Sequence, residues 1–330
     1  MQAMLVRSSG DPEVLEHVVL PMPVPQGRQV LVAHRVIGVN FVDAQHRRGT
    51  PYPVSLPLIP GIEAAGAVLA IGADVTQWAV GDRVAFAGVM SGVYAEASLV
   101  PEDRLVAVPP HVAFELAAAV LLQGLTAHML SETVYAIQPG DTVLIQAAAS
   151  GVGYYLVQLA KRRGARVIGA TSSAAKAAVA LAAGADQVVL TSDDGWEDTA
   201  RSLAGSTGIH AVYDGIGRAT FDQGLRLLRP LGHMVVYGLS SGPVAPFDIN
   251  RLSGITGSGE CGSLRLTWPT LNDHVARSED LRWRAAEVLG WAAAGVLRPL
   301  VDATLPLAQA AEAHRRLEAR AVRGKLLLCP

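Results

Sequence analysis

Small residues crowd one stretch of the chain, Ala147-Ala148-Ala149-Ser150-Gly151-Val152-Gly153, directly after the apolar run Val143-Leu144-Ile145-Gln146. Small side chains let a backbone pass close to a pyrophosphate. The first turn of a following helix then offers unpaired N–H groups at the positive end of its dipole. The dinucleotide-binding turn G-x-G-x-x-G works in this way. Its three glycine places fall here on Ala148, Ser150 and Gly153, with Gly151 as an addition. So loose a match has two readings. Ala149, Ser150, Gly151, Val152 and Gly153 form a pyrophosphate cradle, or the stretch is a glycine-rich turn with no ligand. The apolar strand before it, and the strand–helix alternation that continues after it, favour the cradle.

A second apolar run, Ala165 to Ala170, ends on Thr171-Ser172-Ser173, with Lys176 one turn further on. A sheet that selects NAD places an acid there, roughly 20 residues past the glycine turn, to hold the ribose 2′-hydroxyl. No acid stands at this place. The hydroxyls of Thr171 and Ser172 and the Lys176 ammonium suit a 2′-phosphate, so the expected cofactor is NADPH. The alternative is a helix N-cap at Ser172 or Ser173 with Lys176 in solvent. The two are compatible, because a helix N-terminus favours an anion.

These groups need elements to position them. The chain has 330 residues, which suggests two domains. A net charge of -2, with scattered basic residues, argues against a nucleic-acid surface. No run of about 18 apolar residues stands out, so no membrane span is expected. The first residues, Met1-Gln2-Ala3-Met4, lack the pattern of a secretory signal, and a cytoplasmic location is the expectation. Cys261 and Cys329 fit no C-x-x-C spacing and read as ordinary thiols.

From residue 1 to about 122, short β-like runs (Met4–Val6, Leu15–Leu20, Val30–Val39, Ala65–Ile71, Arg83–Phe86, Tyr94–Val100) alternate with Gly and Pro turns. A barrel-like β domain follows, with one helix from Asn40 to Arg48. Ala113 to Ala136 reads as helical, broken near Gly124. Strands near Asp141, Ala165, Gln187, His210 and His233 then alternate with helices. Gly254 to Gly259 reads as a last, Gly-broken strand. The result is an α/β fold with a doubly wound parallel sheet. Helices at Ser278–Ala294 and Leu307–Ala319 follow, and an apolar strand, Lys325–Cys329, returns to the β domain.

With that order of elements, several motifs stand together: Gly38-Val39-Asn40-Phe41-Val42-Asp43, Pro60-Gly61-Ile62-Glu63-Ala64-Ala65-Gly66, Val80-Gly81-Asp82-Arg83-Val84, Gln123-Gly124-Leu125-Thr126-Ala127, Ala147 to Gly153, Val212 to Gly217, Gly262-Ser263-Leu264 and Gly324-Lys325. Over essentially its whole length the chain resembles the zeta-crystallin-type quinone oxidoreductases of the medium-chain dehydrogenase/reductase superfamily. The resemblance implies a discontinuous GroES-like catalytic domain (1–122 and 267–330) and a Rossmann NADPH-binding domain (123–266). Zinc-dependent relatives carry a catalytic Cys at Asn40 and a His at Ile62. Ile62 has no donor atom and an Asn amide is a poor zinc ligand, so no metal is expected. His34, His46, His128 and His233 read as surface or core histidines rather than ligands.

The resemblance also places the nicotinamide between the two domains. Thr126 is expected at its ring or ribose, or else as a helix-terminal hydroxyl. Gly238, Ser240, Ser263 and Leu264 follow successive strands on the cofactor side, or are plain turn residues. Lys325 reaches a cofactor phosphate or is a surface lysine. Asn40 hydrogen-bonds a substrate carbonyl oxygen or caps the helix that follows it. Asp43 braces the site from its rim. Gln45, Tyr52 and Trp268 stand around the substrate, each where relatives carry or closely neighbour another residue type. Thr191 stands near a place where the family often has a Tyr beside the phosphate.

No dedicated proton relay is legible. That suits an acceptor needing a hydride and a solvent proton, a quinone or an α,β-unsaturated ketone, with the cofactor carrying the chemistry. Two alternatives stand beside this reading. One is an enoyl reductase acting on a C=C bond in polyketide-like metabolism, and the other a non-catalytic NADPH-binding structural or sensor protein. A homodimer is expected, formed by an apolar sheet edge near Gly254 to Leu266.

Overall fold

Alternating apolar residues and turn formers cut the first part of the chain into strands, and the computed structural model shows how they pair. It describes residues 1–88, 92–254, 262–319 and 322–330. The chain forms two compact units, Met1–Leu125 with His274–Pro330, and Thr126–Asp273. The sequence puts these breaks after 122 and after 266.

In the first unit, β1 (Gln2–Val6) and β2 (Leu15–Val19) form an antiparallel pair. β3 (Gln29–Val39) leads into α1 (Phe41–Arg48), and β4 (Glu63–Ile71), β5 (Arg83–Ala87), β6 (Ala97–Pro101) and β7 (Val106–Ala107) follow. The strand expected from Tyr94 begins at Ala97. Tyr94 instead sits fully buried just before it. Val30, Val32, Ile37 and Val39 of β3, Val68 of β4 and Phe86 of β5 meet in one core.

α2 (Phe114–Met129) runs unbroken through Gly124, contrary to the expected interruption. The glycine is there for packing. A Cβ at this position would lie 2.7 Å from Val288 Cγ1, so the helix keeps its course and loses only a side chain. Phe114–Val134 is long and apolar enough to span a membrane, and 67% of its most apolar window is buried inside the protein, as in a core helix.

The second unit holds β8 (Thr142–Gln146), α3 (Gly151–Arg162), β9 (Arg166–Thr171), α4 (Ala174–Ala183) and β10 (Gln187–Leu190). It continues with α5 (Trp196–Ala204), β11 (Ile209–Asp214), α6 (Phe221–Leu227), β12 (Leu228–Val236) and β13 (Arg265–Thr267). The sheet order is β10-β9-β8-β11-β12-β13, all pairs parallel. All five residues of β8 are buried, which is why it reads as a continuous apolar run. The sixth strand lies at Arg265–Thr267. Most of the Gly254–Gly259 stretch expected to form it lies outside the described residues, as does Cys261. The order reverses between β8 and β11, so a topological switch point stands at the carboxyl end of β8, where such sheets bind ligands.

α7 (Leu271–His274) is a single turn, and α8 (Ser278–Ala293), β14 (Val301–Pro306), α9 (Ala310–Glu318) and β15 (Lys325–Cys329) close the first unit. Its seven-stranded sheet runs β14-β15-β3-β4-β5-β7, with β6 also on β3. β15 pairs antiparallel with β3, Leu327 opposite Gly38. That register brings β15 beside the end of β3, where Asn40 opens α1.

Candidate active site

The small residues after β8 form a tight turn into α3. Ala147 has φ 50° and Gly151 φ 51°, a region an L-residue enters only at some cost. Ser150 N–H donates to Ala147 O at 3.0 Å. At Gly153 an added Cβ would collide with that same carbonyl oxygen, so the helix approaches its strand as closely as it does only because glycine stands there. A turn of this form has the close backbone approach and the helix N-terminus that suit a dinucleotide pyrophosphate. Ala149 is buried, and Ser150, Gly151 and Val152 are half-buried around it.

At the end of β9, Thr171 is 3% exposed and its hydroxyl donates to Ser173 O at 3.4 Å. Ser173 is the N-cap of α4, its Oγ accepting from the Lys176 backbone N–H at 3.4 Å. Ser172 is exposed and Lys176 half-buried. The cap therefore belongs to Ser173, which leaves the Ser172 hydroxyl facing out at the strand end. Gly238 and Ser240 lie after β12, and Ser263 and Leu264 directly before β13. Ser263 has φ 56°, and Leu264 is packed in the core. Thr126 is half-buried on α2, and Trp268 is 50% exposed.

The first unit gathers Asn40 and Asp43 into a buried polar network. Lys325 Nζ donates to Glu63 Oε2 at 2.6 Å and to Asn40 Oδ1 at 2.7 Å. Asn40 Nδ2 donates to Glu63 Oε2 at 2.9 Å and to Gly38 O at 3.2 Å. The other Glu63 oxygen accepts the Leu122 N–H at 2.6 Å, and Gln123 Nε2 donates to Asn40 Oδ1 at 3.3 Å. Lys325, Glu63 and Asn40 are 2%, 0% and 4% exposed. Two expectations are thereby corrected. The Lys325 ammonium does not face a phosphate, because it lies in a buried ion pair. Asn40 is the N-cap residue of α1, its backbone N–H held by Asp43 Oδ2, but its side chain presents no free N–H to a substrate, because both its amide hydrogens are engaged.

Asp43 is corrected too. It is 0% exposed rather than on a rim. Its Oδ2 accepts the Asn40 backbone N–H at 2.8 Å and the Tyr94 hydroxyl at 3.0 Å, while its Oδ1 is buried with no partner. Burial raises its pKa to about 7, against the lowering effect of those two hydrogen bonds. His314 Nε2 is 3.0 Å from the Tyr94 hydroxyl oxygen, and its Nδ1 is 3.0 Å from Arg47 Nη1. Arg47 can only donate, so Nδ1 accepts and Nε2–H donates to Tyr94, leaving the tyrosine proton for Asp43. Burial, with Arg47 beside it, lowers the His314 pKa to about 3, so this imidazole is neutral. Arg47 is held in turn by Glu318 Oε1 at 2.6 Å.

Sequence reading missed Glu63, Lys325, Tyr94 and His314 as a connected set. The only signals were a lone acid opening one apolar strand and a lone cation opening another. Gln45 is half-buried on α1, and Tyr52 is 38% exposed with its ring edge-on to His46. His34 is a satisfied core histidine, bonded to Ala95 O and Ser98 Oγ. Ile62 is a buried hydrocarbon. Among the described residues no three His, Cys, Asp or Glu side chains are gathered as metal ligands.

Two family models match the chain. Residues 26–110 match the one described as alcohol dehydrogenase GroES-like domain, and residues 151–277 the one described as zinc-binding dehydrogenase. The chain is 38% identical to a quinone oxidoreductase of Pseudomonas aeruginosa over 97% of both chains. It is 34% identical to a 2-haloacrylate reductase of a Burkholderia species over 100% of this chain and 99% of the other. The solved structure of Escherichia coli quinone oxidoreductase complexed with NADPH aligns at a TM-score of 0.94, with 36% identity and all of both chains covered.

Proposed function

The chain belongs to the zinc-independent quinone oxidoreductases of the medium-chain dehydrogenase/reductase superfamily, and we propose that it transfers a hydride from NADPH to a quinone or an α,β-unsaturated carbonyl compound. The observation that carries this reading is the turn at Ala147–Gly153, where glycine at 153 lets α3 pack directly against the Ala147 carbonyl at the end of β8. Full-length likeness to a relative solved with NADPH supports the cofactor. The likeness to a 2-haloacrylate reductase supports an activated C=C bond as one acceptor.

When bound, NADPH supplies the hydride. The chain's own residues do the rest. Ala149 to Gly153 receive the pyrophosphate, and Thr171, Ser172 and Lys176 the 2′-phosphate. Thr126, Gly238, Ser240, Ser263 and Leu264 complete the cofactor's surroundings. Gln45, Tyr52 and Trp268 contact the acceptor. Asn40 and Asp43 order the polar groups beside it, and hydrogen bonding takes the place that a Lewis-acid metal holds in zinc enzymes. The protein works in the cytoplasm as a homodimer, a second copy pairing on the sheet edge at β13.

The test is NADPH oxidation by purified protein with a benzoquinone, an alkenone and an enoyl thioester side by side. Turnover of the first two, insensitive to a zinc chelator, is the expected result. Preference for the enoyl thioester moves the assignment to the enoyl reductases, and binding without turnover to a sensor role.

A further inference from the structure

Asn40 has no hydrogen left to give, which raises the question of which side chain meets the acceptor's oxygen. The orientation of its amide is fixed by its partners. Lys325 Nζ can only donate, so Oδ1 faces it. The carboxylate of Glu63 can only accept, so Nδ2 faces that. Oδ1 has a second lone pair, and Gln123 Nε2 donates to it at 3.3 Å. Gln123 is thereby obliged to turn its nitrogen inward to this site, and that nitrogen carries a second hydrogen. Asn40, Glu63 and Lys325 are shut away, whereas Gln123 is half-buried. Gln123 is thus where the buried polar chain reaches accessible surface. From Ala117 to Ser131 every residue is buried except Leu122, Gln123 and Thr126, and residues three apart share a helix face. The Leu122 N–H on Glu63 ties the backbone of the same turn to the same carboxylate.

We infer that Gln123 donates the hydrogen bond that polarises the acceptor's carbonyl oxygen, with Glu63, Lys325 and Asn40 as the positioning residues behind it. The inference rests on the reductase reading. As NADPH is oxidised to NADP⁺, its hydride forms a C–H bond at the β-carbon of an enone. The C=C electron pair shifts and the carbonyl oxygen becomes an enolate oxygen, which a solvent proton later neutralises. A donor fixed by a buried ammonium is already oriented when that charge appears, so little reorganisation is needed.

Gln123→Met keeps the length and shape of the side chain and removes the donor. It should lower kcat/KM for an alkenone and a benzoquinone by about ten- to a hundredfold, the worth of one hydrogen bond to a charged oxygen, with the KM for NADPH and the melting temperature unchanged. Rates within twofold of the parent overturn the inference. A second measurement needs no turnover. The ¹⁵N–¹H signals of the Gln123 amide, identified by their loss in Gln123→Met, should shift when cyclohexanone is added to the protein with NADP⁺. Signals that stay in place while cyclohexanone binds, or cyclohexanone binding equally to parent and variant, overturn it. Failure of the reductase reading shows separately, as a parent protein that oxidises NADPH with no acceptor.

Discussion

Lys325 heads an apolar strand, and a cation there is tolerable only because Glu63 meets it at 2.6 Å. Removing one partner of a buried pair leaves an uncompensated charge, at a cost of about 3–5 kcal/mol. Lys325→Met should lose that much in a urea titration, and Glu63→Gln/Lys325→Met should recover most of it. Equal losses in single and double variants would show that the pair is not what holds Asn40. Asp43 makes a pH prediction. Its folded pKa of about 7 lies above the ordinary 3.8 because it is buried. The native state therefore holds that proton more tightly than the unfolded chain, and the stability it gives is lost as pH climbs from about 4 through about 7. The charged groups acting on it, Lys325 and Glu63, and the neutral His314 beyond Tyr94 are common to parent and variant. The stability difference between parent and Asp43→Asn should therefore move against the parent from pH 5 to pH 8. A constant difference would mean that the carboxyl is ionised throughout. Lys176→Ala should weaken NADPH about ten- to a hundredfold, the worth of a charge-assisted contact of about 1.5–3 kcal/mol, and leave NADH nearly unchanged. Equal loss for both cofactors would make Lys176 a structural residue.

At the scale of elements, the turn from β8 into α3 depends on Gly153. Gly153→Ala forces its methyl onto Ala147 O; overpacking of this kind costs about 1–3 kcal/mol. The variant should lose NADPH affinity while its sheet, read by circular dichroism, stays intact, and unaltered affinity would remove the turn from the cofactor site. This turn was legible in the sequence because its residues are contiguous. The central strands were legible for a similar reason: buried on both faces, they are plain apolar runs. β14 was missed because it has no buried residue to mark it, and β7 because it has only two residues. Gly124 was misread because helix propensity counts glycine as a breaker, whereas Val288 requires one there. The polar network was invisible for a different reason. Its bonds join residues as far apart as Asn40 and Lys325, 285 positions away, and no local pattern records that β15 lies against β3.

For the whole molecule, β13 is one of the two edges of the parallel sheet, opposite β10, and it is short, with Leu266 37% exposed. Its outer backbone groups suit a second copy, and sedimentation at micromolar concentration should give a dimer, with a monomer contradicting the edge-pairing proposal. The measurement that bears most directly on the central claim is initial-rate kinetics with NADPH and with NADH, using a benzoquinone in the presence of a zinc chelator. Chelator-resistant turnover is expected, with kcat/KM for NADPH about ten- to a hundredfold above that for NADH, the ratio a single phosphate contact provides. No oxidation of NADPH above background, or a preference for NADH, would contradict it.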